Sequence, residues 1–184
     1  MKTEYSNLEI VEFKIKGLKL IKPQIFQDER GYFLESFRQN IYQDLGLPEF
    51  VQDNHAFSQK NTLRGMHFQR GVGQAKLVTV AEGEIFDVAV DMRKESPAFG
   101  QWQSVVLNAQ TCQQFFIPAG FAHGYLVISD QAHVLYKVSS YYEPKKETGF
   151  SWNDPMVNIS WPVKTPHLSV RDKNSMSFQE VLVC

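Results

Sequence analysis

Cysteine is scarce: Cys112 and Cys184 are the only two in 184 residues. That is too few for a disulfide framework and unlike a clustered zinc site. Free thiols fit a reducing compartment, and both read as structural thiols. Long hydrophobic runs are missing, since none reaches the roughly 20 residues of a membrane-spanning helix. The stretch MKTEYSNLEIVEFKIKG is charged throughout, so no signal peptide is expected there. Charge of one sign is missing too. The 19 basic residues face 20 acidic ones, for a net charge of −1, and no basic patch is visible. A nucleic-acid partner is therefore not expected, and neither is a membrane partner. A specific anionic ligand needs only two or three placed cations and stays open. Repeats, low-complexity segments and linker-like breaks are absent, so residues 1–184 read as one soluble, cytoplasmic domain.

Hydrophobic residues make up 43% of the chain and aromatics 13%, enough to bury a core and to argue against disorder. Strand signals dominate. EIVEFKI and LKLIKPQIF mix alternating and β-branched residues, and AKLVTV and IFDVAVDM flank the turn Glu82-Gly83-Glu84. In IFDVAVDM, Phe86, Val88, Val90 and Met92 share one parity, while Ile85, Asp87, Ala89 and Asp91 share the other. A strand needs such alternation when its two faces meet different surroundings. SVVLN, QFFIP, YLVIS and HVLYKVSSYY follow between Gly, Pro, Asn and Asp. SFRQNIYQDLGLP predicts a short helix with Gly46 near its end and Pro48 beyond, and SFQEVLV reads as helix or strand. The expectation is an all-β domain, a sandwich, jelly roll or barrel with a few short helices.

TLRGMHFQRG places Arg64 and His67 on a predicted strand. His67 can be a core histidine satisfied by a backbone hydrogen bond, or a base if a carboxylate such as Asp172 in LSVRD holds its tautomer. Arg64 favours the second reading, because a buried guanidinium needs an anion. Strict alternation puts the two on opposite faces, unless Gly65 hosts a bulge that re-aims one of them. Tyr136 and Tyr142 share a parity and can face one cavity, as proton donor, stacking ring or core tyrosine. Lys76 opens AKLVTV after the glycine-rich RGVGQ, either to stabilise an oxyanion or as a solvated strand end. In DERGYFLES, Arg30 can reach a phosphate and Glu35 a hydroxyl, or both can be ordinary surface charges. Gln52 and Asn54 in VQDN share a parity suited to sugar hydroxyls or a base edge, and YYEPKKETGFSWNDP supplies Glu147 and a Trp152 that reads as packing. Metal-binding members of the cupin superfamily pair two histidines one residue apart with a carboxylate and a later histidine. PAGFAHG, with His123, resembles the later piece, but His67-Phe68-Gln69 lacks the second histidine, so no metal is expected.

DERGYF, VQDNHAFS, NTLRGMHFQ, KLVTVAEGEIFDVAVDMRKESPAFGQW, FIPAGFAHGYLV, LYKVSSYYEP, WNDP and LSVRD stand in the order and approximate spacing of one family. Over roughly residues 17 to 175 the chain resembles the dTDP-4-dehydrorhamnose 3,5-epimerases. The resemblance implies a cupin jelly roll, a double-stranded β-helix working as a homodimer without metal or other cofactor. It implies a dTDP-sugar substrate, dTDP-4-dehydro-6-deoxy-D-glucose, inverted at C3 and C5; relatives that invert C3 or C5 alone share its motifs. By position His67 resembles the base, Asp172 its orienting carboxylate, Tyr136 the proton donor and Lys76 a group near the keto oxygen. Arg30, Glu35, Gln52, Asn54, Arg64, His123, Glu147 and Arg171 match substrate contacts, with Arg30 and Glu35 lent across the dimer interface. Tyr142 resembles the ring that stacks on thymine. Two departures stand out: Arg171 stands where lysine is frequent, and RGVGQAK is slightly short.

Overall fold

The structure, a computed structural model, describes residues 8–183; Cys184 lies outside them. The strands follow the punctuation of the sequence: β1 Leu8–Glu12, β2 Lys19–Pro23, β3 Phe26–Asp28, β4 Gly31–Phe33, β5 Gln52–Gln59, β6 Leu63–Gln69, β7 Lys76–Glu82, β8 Glu84–Asp91, β9 Trp102–Asn108, β10 Gln114–Ile117, β11 Phe121–Val127, β12 Gln131–Val138 and β13 Glu147–Gly149. Three short helices complete the described chain: α1 Gln39–Asp44, α2 Val170–Lys173 and α3 Phe178–Val183. SFQEVLV thus resolves as helix. None of the helices is long and apolar enough to cross a membrane.

Two antiparallel sheets make the jelly roll. One runs β1-β2-β10-β7-β12-β5 and the other β13-β6-β11-β8-β9. β7 and β8 are joined by one residue, Gly83, yet belong to different sheets. Gly83 turns the chain at φ 80°, and a Cβ there would sit 2.0 Å from the Gln131 carbonyl oxygen, so only glycine fits. The hairpin of β3 and β4 stands apart from both sheets and exposes Phe26, Tyr32 and Phe33.

Parity decides what each face buries. Ile85 and Ala89 of β8 point between the sheets, where they meet Val78, Val80, Leu107, Phe115, Ile117, Phe121, Val127 and Val134 in the main core. Val88 and Val90, on the other parity, pack outward with Met66 and Phe150 beneath Phe178 and Val181 of α3. On the far sheet, α1 covers Ile21, Leu77 and Phe116 with Ile41 and Tyr42. It stops where the sequence predicts. Gly46 has φ 79°, its amide donates to the Gln43 carbonyl (2.8 Å) and the Leu47 amide to the Tyr42 carbonyl (3.0 Å). That is the two-bond closure of a helix C-terminus on a left-handed glycine. The main core fills one part of the space between the sheets, and polar side chains line the rest.

Candidate active site

Strand β6 shows how Arg64 and His67 come to share a cavity. His67 pairs with His123 of β11, and Arg64 pairs with Tyr125, so three steps on β6 oppose two on β11. The extra residue is a bulge, as Gly65 suggested, and it reverses the alternation between Arg64 and His67. Gly65 has φ 132°, and a Cβ on it would lie 2.5 Å from the Gly124 Cα. The Gly65–Met66 peptide is cis.

The cavity has a volume of about 720 Å³, within the usual range for small-ligand sites. The five-stranded sheet supplies Arg64, His67, His123, Tyr125 and Glu147; the six-stranded sheet supplies Gln52, Asn54, Lys76 and Tyr136. Arg171 and Asp172 enter from α2, and Tyr142 from the loop after β12. Tyr142 therefore does not reach the cavity by strand alternation, because β12 ends at Val138. Of the residues the sequence offered for binding or catalysis, Arg30 and Glu35 lie elsewhere. Arg30 is on the β3–β4 hairpin, exposed and paired with Asp28 at 2.6 Å, and Glu35 pairs with Arg38.

His67 Nε2 lies 2.6 Å from Asp172 Oδ1, with the Asp172 side chain only 3% exposed. Ser169 caps α2, its Oγ accepting from the Asp172 amide at 3.0 Å, and so sets the carboxylate in place. Burial pushes the Asp172 carboxyl up, but the His67 hydrogen bond and charge, with Ser169 and the Gly65 amide, bring it below its ordinary value. A carboxylate held ionised beside an imidazole fixes which ring nitrogen is bare.

Lys76 is not the solvated strand end its place in the sequence allowed. It lines the cavity, and burial lowers its ammonium to about 8 against the pull of Glu147 and Asp87. Burial raises the Tyr136 phenol, with Arg64 pulling the other way, so Tyr136 keeps its proton at neutral pH. His123 Nε2 lies 2.9 and 3.0 Å from the two oxygens of Asp87, which is fully buried. Burial holds His123 below its ordinary value despite Asp87, with Lys76 and His67 adding to that effect, so it is neutral near pH 7. Arg64 donates from Nε to Ser58 Oγ (2.9 Å) and from Nη2 to the Phe57 carbonyl (3.2 Å).

Polar groups at the mouth are tied together. Tyr142 Oη and Arg171 Nη1 both donate to Glu147 Oε2, at 2.7 and 2.6 Å. Gln52 donates to Asn54 Oδ1 at 2.9 Å and accepts from the Tyr142 amide at 3.1 Å. Five polar lining residues escaped the sequence reading: Thr62, Gln74, Tyr125, His167 and Ser169. Tyr125 had a signal, since it follows His123 by two in FAHGYLV and shares its parity. Asp87 stood on the inward parity of IFDVAVDM, but nothing in the sequence joined it to His123. Trp152 lies outside the cavity lining, and its carbonyl accepts from Trp161 Nε1 at 2.8 Å.

Chemically, the arrangement sets an imidazole–carboxylate pair on one wall and a protonated phenol on the facing wall, with an ammonium between other donors. It can move a proton off one face of a bound molecule and return one to the other face.

The family model for dTDP-4-dehydrorhamnose 3,5-epimerase matches residues 12–180. A dTDP-4-dehydrorhamnose 3,5-epimerase of Salmonella typhimurium is 46% identical over 178 residues, covering 95% of this chain and 97% of its own. A crystal structure of a dTDP-6-deoxy-D-glucose-3,5-epimerase from Legionella pneumophila, in complex with dTDP-4-keto-L-rhamnose, superposes with a TM-score of 0.91 at 45% identity, covering 94% of this chain and 93% of that one. A 3′-monoepimerase from Streptomyces bikiniensis in complex with dTDP-quinovose is more distant, at 33% identity and a TM-score of 0.87, covering 93% of this chain and 89% of that one. With the family model spanning nearly the whole jelly roll and the cavity at its centre, this chain belongs to the dTDP-4-dehydrorhamnose 3,5-epimerase family.

Proposed function

We propose that the protein converts dTDP-4-dehydro-6-deoxy-D-glucose to dTDP-4-dehydro-L-rhamnose by inverting C3 and C5. The observation that carries this reading is the placement of the His67–Asp172 pair and Tyr136 on opposing sheets of one cavity. The C4 ketone makes the hydrogens on C3 and C5 acidic, because the carbanion left behind delocalises onto oxygen.

His67 Nε2 is committed to Asp172, so its other nitrogen takes the proton from carbon. The C–H electron pair becomes the C=C bond of an enolate, and the carbonyl pair moves to O4. Lys76 donates to that oxygen, where charge develops in the transition state. Tyr136 then delivers its phenolic proton to the carbon from the opposite face, and the enolate collapses to the ketone with the centre inverted. His67 loses its proton to solvent and Tyr136 regains one before the second centre reacts. Arg64 anchors the diphosphate as the ring shifts between steps, and Tyr142 stacks on thymine at the mouth.

Arg30 and Glu35 sit outside the cavity of their own chain. We read them as lent to a second copy's site, which makes the working form a homodimer. The cytoplasm is the compartment this reading assigns, in keeping with the free, buried thiol of Cys112.

Proton NMR in deuterated water tests the activity. Deuterium entering both C3 and C5 of dTDP-4-dehydro-6-deoxy-D-glucose is expected. Label at one carbon alone identifies a mono-epimerase, as in the more distant Streptomyces bikiniensis enzyme, and no label at either carbon overturns the reading.

A further inference from the structure

Tyr125 lines the cavity, and nothing in the mechanism above uses its hydroxyl. It is 4% exposed, and its hydroxyl has no hydrogen-bond partner among the described residues. Its near polar neighbour, Ser58 Oγ, accepts from Arg64 Nε at 2.9 Å and lies near enough to pull the Tyr125 phenol slightly down, but not in hydrogen-bond geometry with it. Buried polar groups in folded proteins are almost always paired, and one left unpaired costs stability for as long as it stays so. Phenylalanine would pack the same ring against the main core without that cost. The hydroxyl is therefore built for something that enters the cavity.

Position decides which part of a ligand it meets. Exposure falls from the mouth inward. Tyr142 is 49% exposed and the Arg171 side chain 50%, while His123 is 7% and Asp87 0%. Tyr125 belongs to the inner end. It stands two residues from His123 on β11, cross-strand from Asp87 of β8 and Arg64 of β6, and its ring centroid is 6.2 Å from that of His123. The reacting groups His67, Lys76 and Tyr136 face the same space. A nucleotide base and its ribose fit the open, polar mouth, and the sugar that reacts must reach the inner end.

We propose that Tyr125 is a further binding residue of this site, donating its hydroxyl proton to an oxygen of the hexose ring of a dTDP-sugar. The inference rests on the dTDP-sugar reading above. Burial raises the phenol to about 12, despite the nearby Arg64 charge, so it is a donor at every pH where the protein works. Because Tyr125 comes from β11 and Tyr136 from β12 in the facing sheet, the two phenols address the sugar from different walls.

Tyr125→Phe removes one oxygen and leaves the packing. Calorimetric titration with dTDP-glucose, which has no ketone and cannot react, and with dTDP alone separates the two ends of the ligand. The variant is expected to bind dTDP-glucose about tenfold more weakly than the wild type, and dTDP equally well. Its melting temperature is expected to be unchanged or higher, since an unpaired buried hydroxyl is gone. Equal dTDP-glucose affinity in the two proteins overturns the proposal. So does an equal loss for both ligands, or a lowered melting temperature, which means the hydroxyl serves the fold. A wild type that binds neither ligand overturns the functional reading as well, so the two failures are distinct.

Discussion

Exchanging His67 for asparagine keeps a polar side chain of similar reach but removes the proton-accepting nitrogen. On the proposed mechanism His67→Asn loses about 10³-fold in kcat, within the range a general base contributes. Its melting temperature and dTDP affinity stay near the wild type; turnover near the wild-type rate sinks the assignment. Lys76 gives a second, pH-dependent expectation. Its ammonium must be charged to steady the enolate oxygen, and its folded value is about 8 against an ordinary 10.5. The kcat/KM should therefore fall as pH rises through about 8, and that alkaline limb should vanish in Lys76→Met. Stability moves the other way. Between pH 8 and 10.5 the unfolded chain holds a proton on Lys76 that the folded chain has lost. The unfolded state then binds more protons, so folding stability from this group rises with pH across that window. Melting curves of wild type and Lys76→Met over that range isolate the effect, and parallel curves refute it.

The bulge in β6 is the element on which the site turns, and Gly65 is its hinge. Gly65→Ala puts a Cβ 2.5 Å from the Gly124 Cα and 2.9 Å from the His123 carbonyl oxygen, at a φ of 132°. Backbone must move, so a loss of about 2–4 kcal/mol is expected, together with most of the activity as Arg64 and His67 lose their common face. Gly71→Ala is the control, with φ 80° and nothing within 4 Å of the added Cβ. It should cost about 1 kcal/mol, the ordinary strain of a left-handed alanine. Equal losses in denaturant melts of the two variants remove the bulge from the account. Much of this element was legible in TLRGMHFQRG. The alternation placed Arg64 and His67 on opposite faces, and Gly65 was the point where that alternation had to break. What the stretch does not contain is the reason for a glycine, because Gly124 and His123 arrive from a strand some 60 residues later.

For the whole molecule, the reading that Arg30 and Glu35 serve a neighbouring site predicts complementation between subunits. Arg30→Ala and His67→Asn should each be nearly inactive alone. Mixed, dissociated and reassembled, they should regain about a quarter of the wild-type activity, since half of randomly assorted dimers carry one intact site. A mixture no more active than its components, or a monomer by light scattering, rejects the lent residues. The exposed Phe26, Tyr32 and Phe33 around Arg30 are the surface that such a contact would cover.

Several features were decided by residue chemistry within short windows. Strand parity in IFDVAVDM and the helix end at Gly46 each depend on neighbours a few residues away, so they could be read directly. The motifs also supplied His67, Asp172, Tyr136 and Lys76 as reactive types. Only the tertiary structure brought His67 within 2.6 Å of a carboxylate 105 residues on, and only it gave His123 a partner in Asp87. It placed β7 and β8 in separate sheets across a single glycine, turned Lys76 from a strand end into a half-buried ammonium in the cavity wall, and left the Tyr125 hydroxyl unpaired at the inner end. These depend on burial and on distances between strands far apart in the chain. Desolvation and hydrogen bonding act through space, and the order of residues along one strand does not contain them.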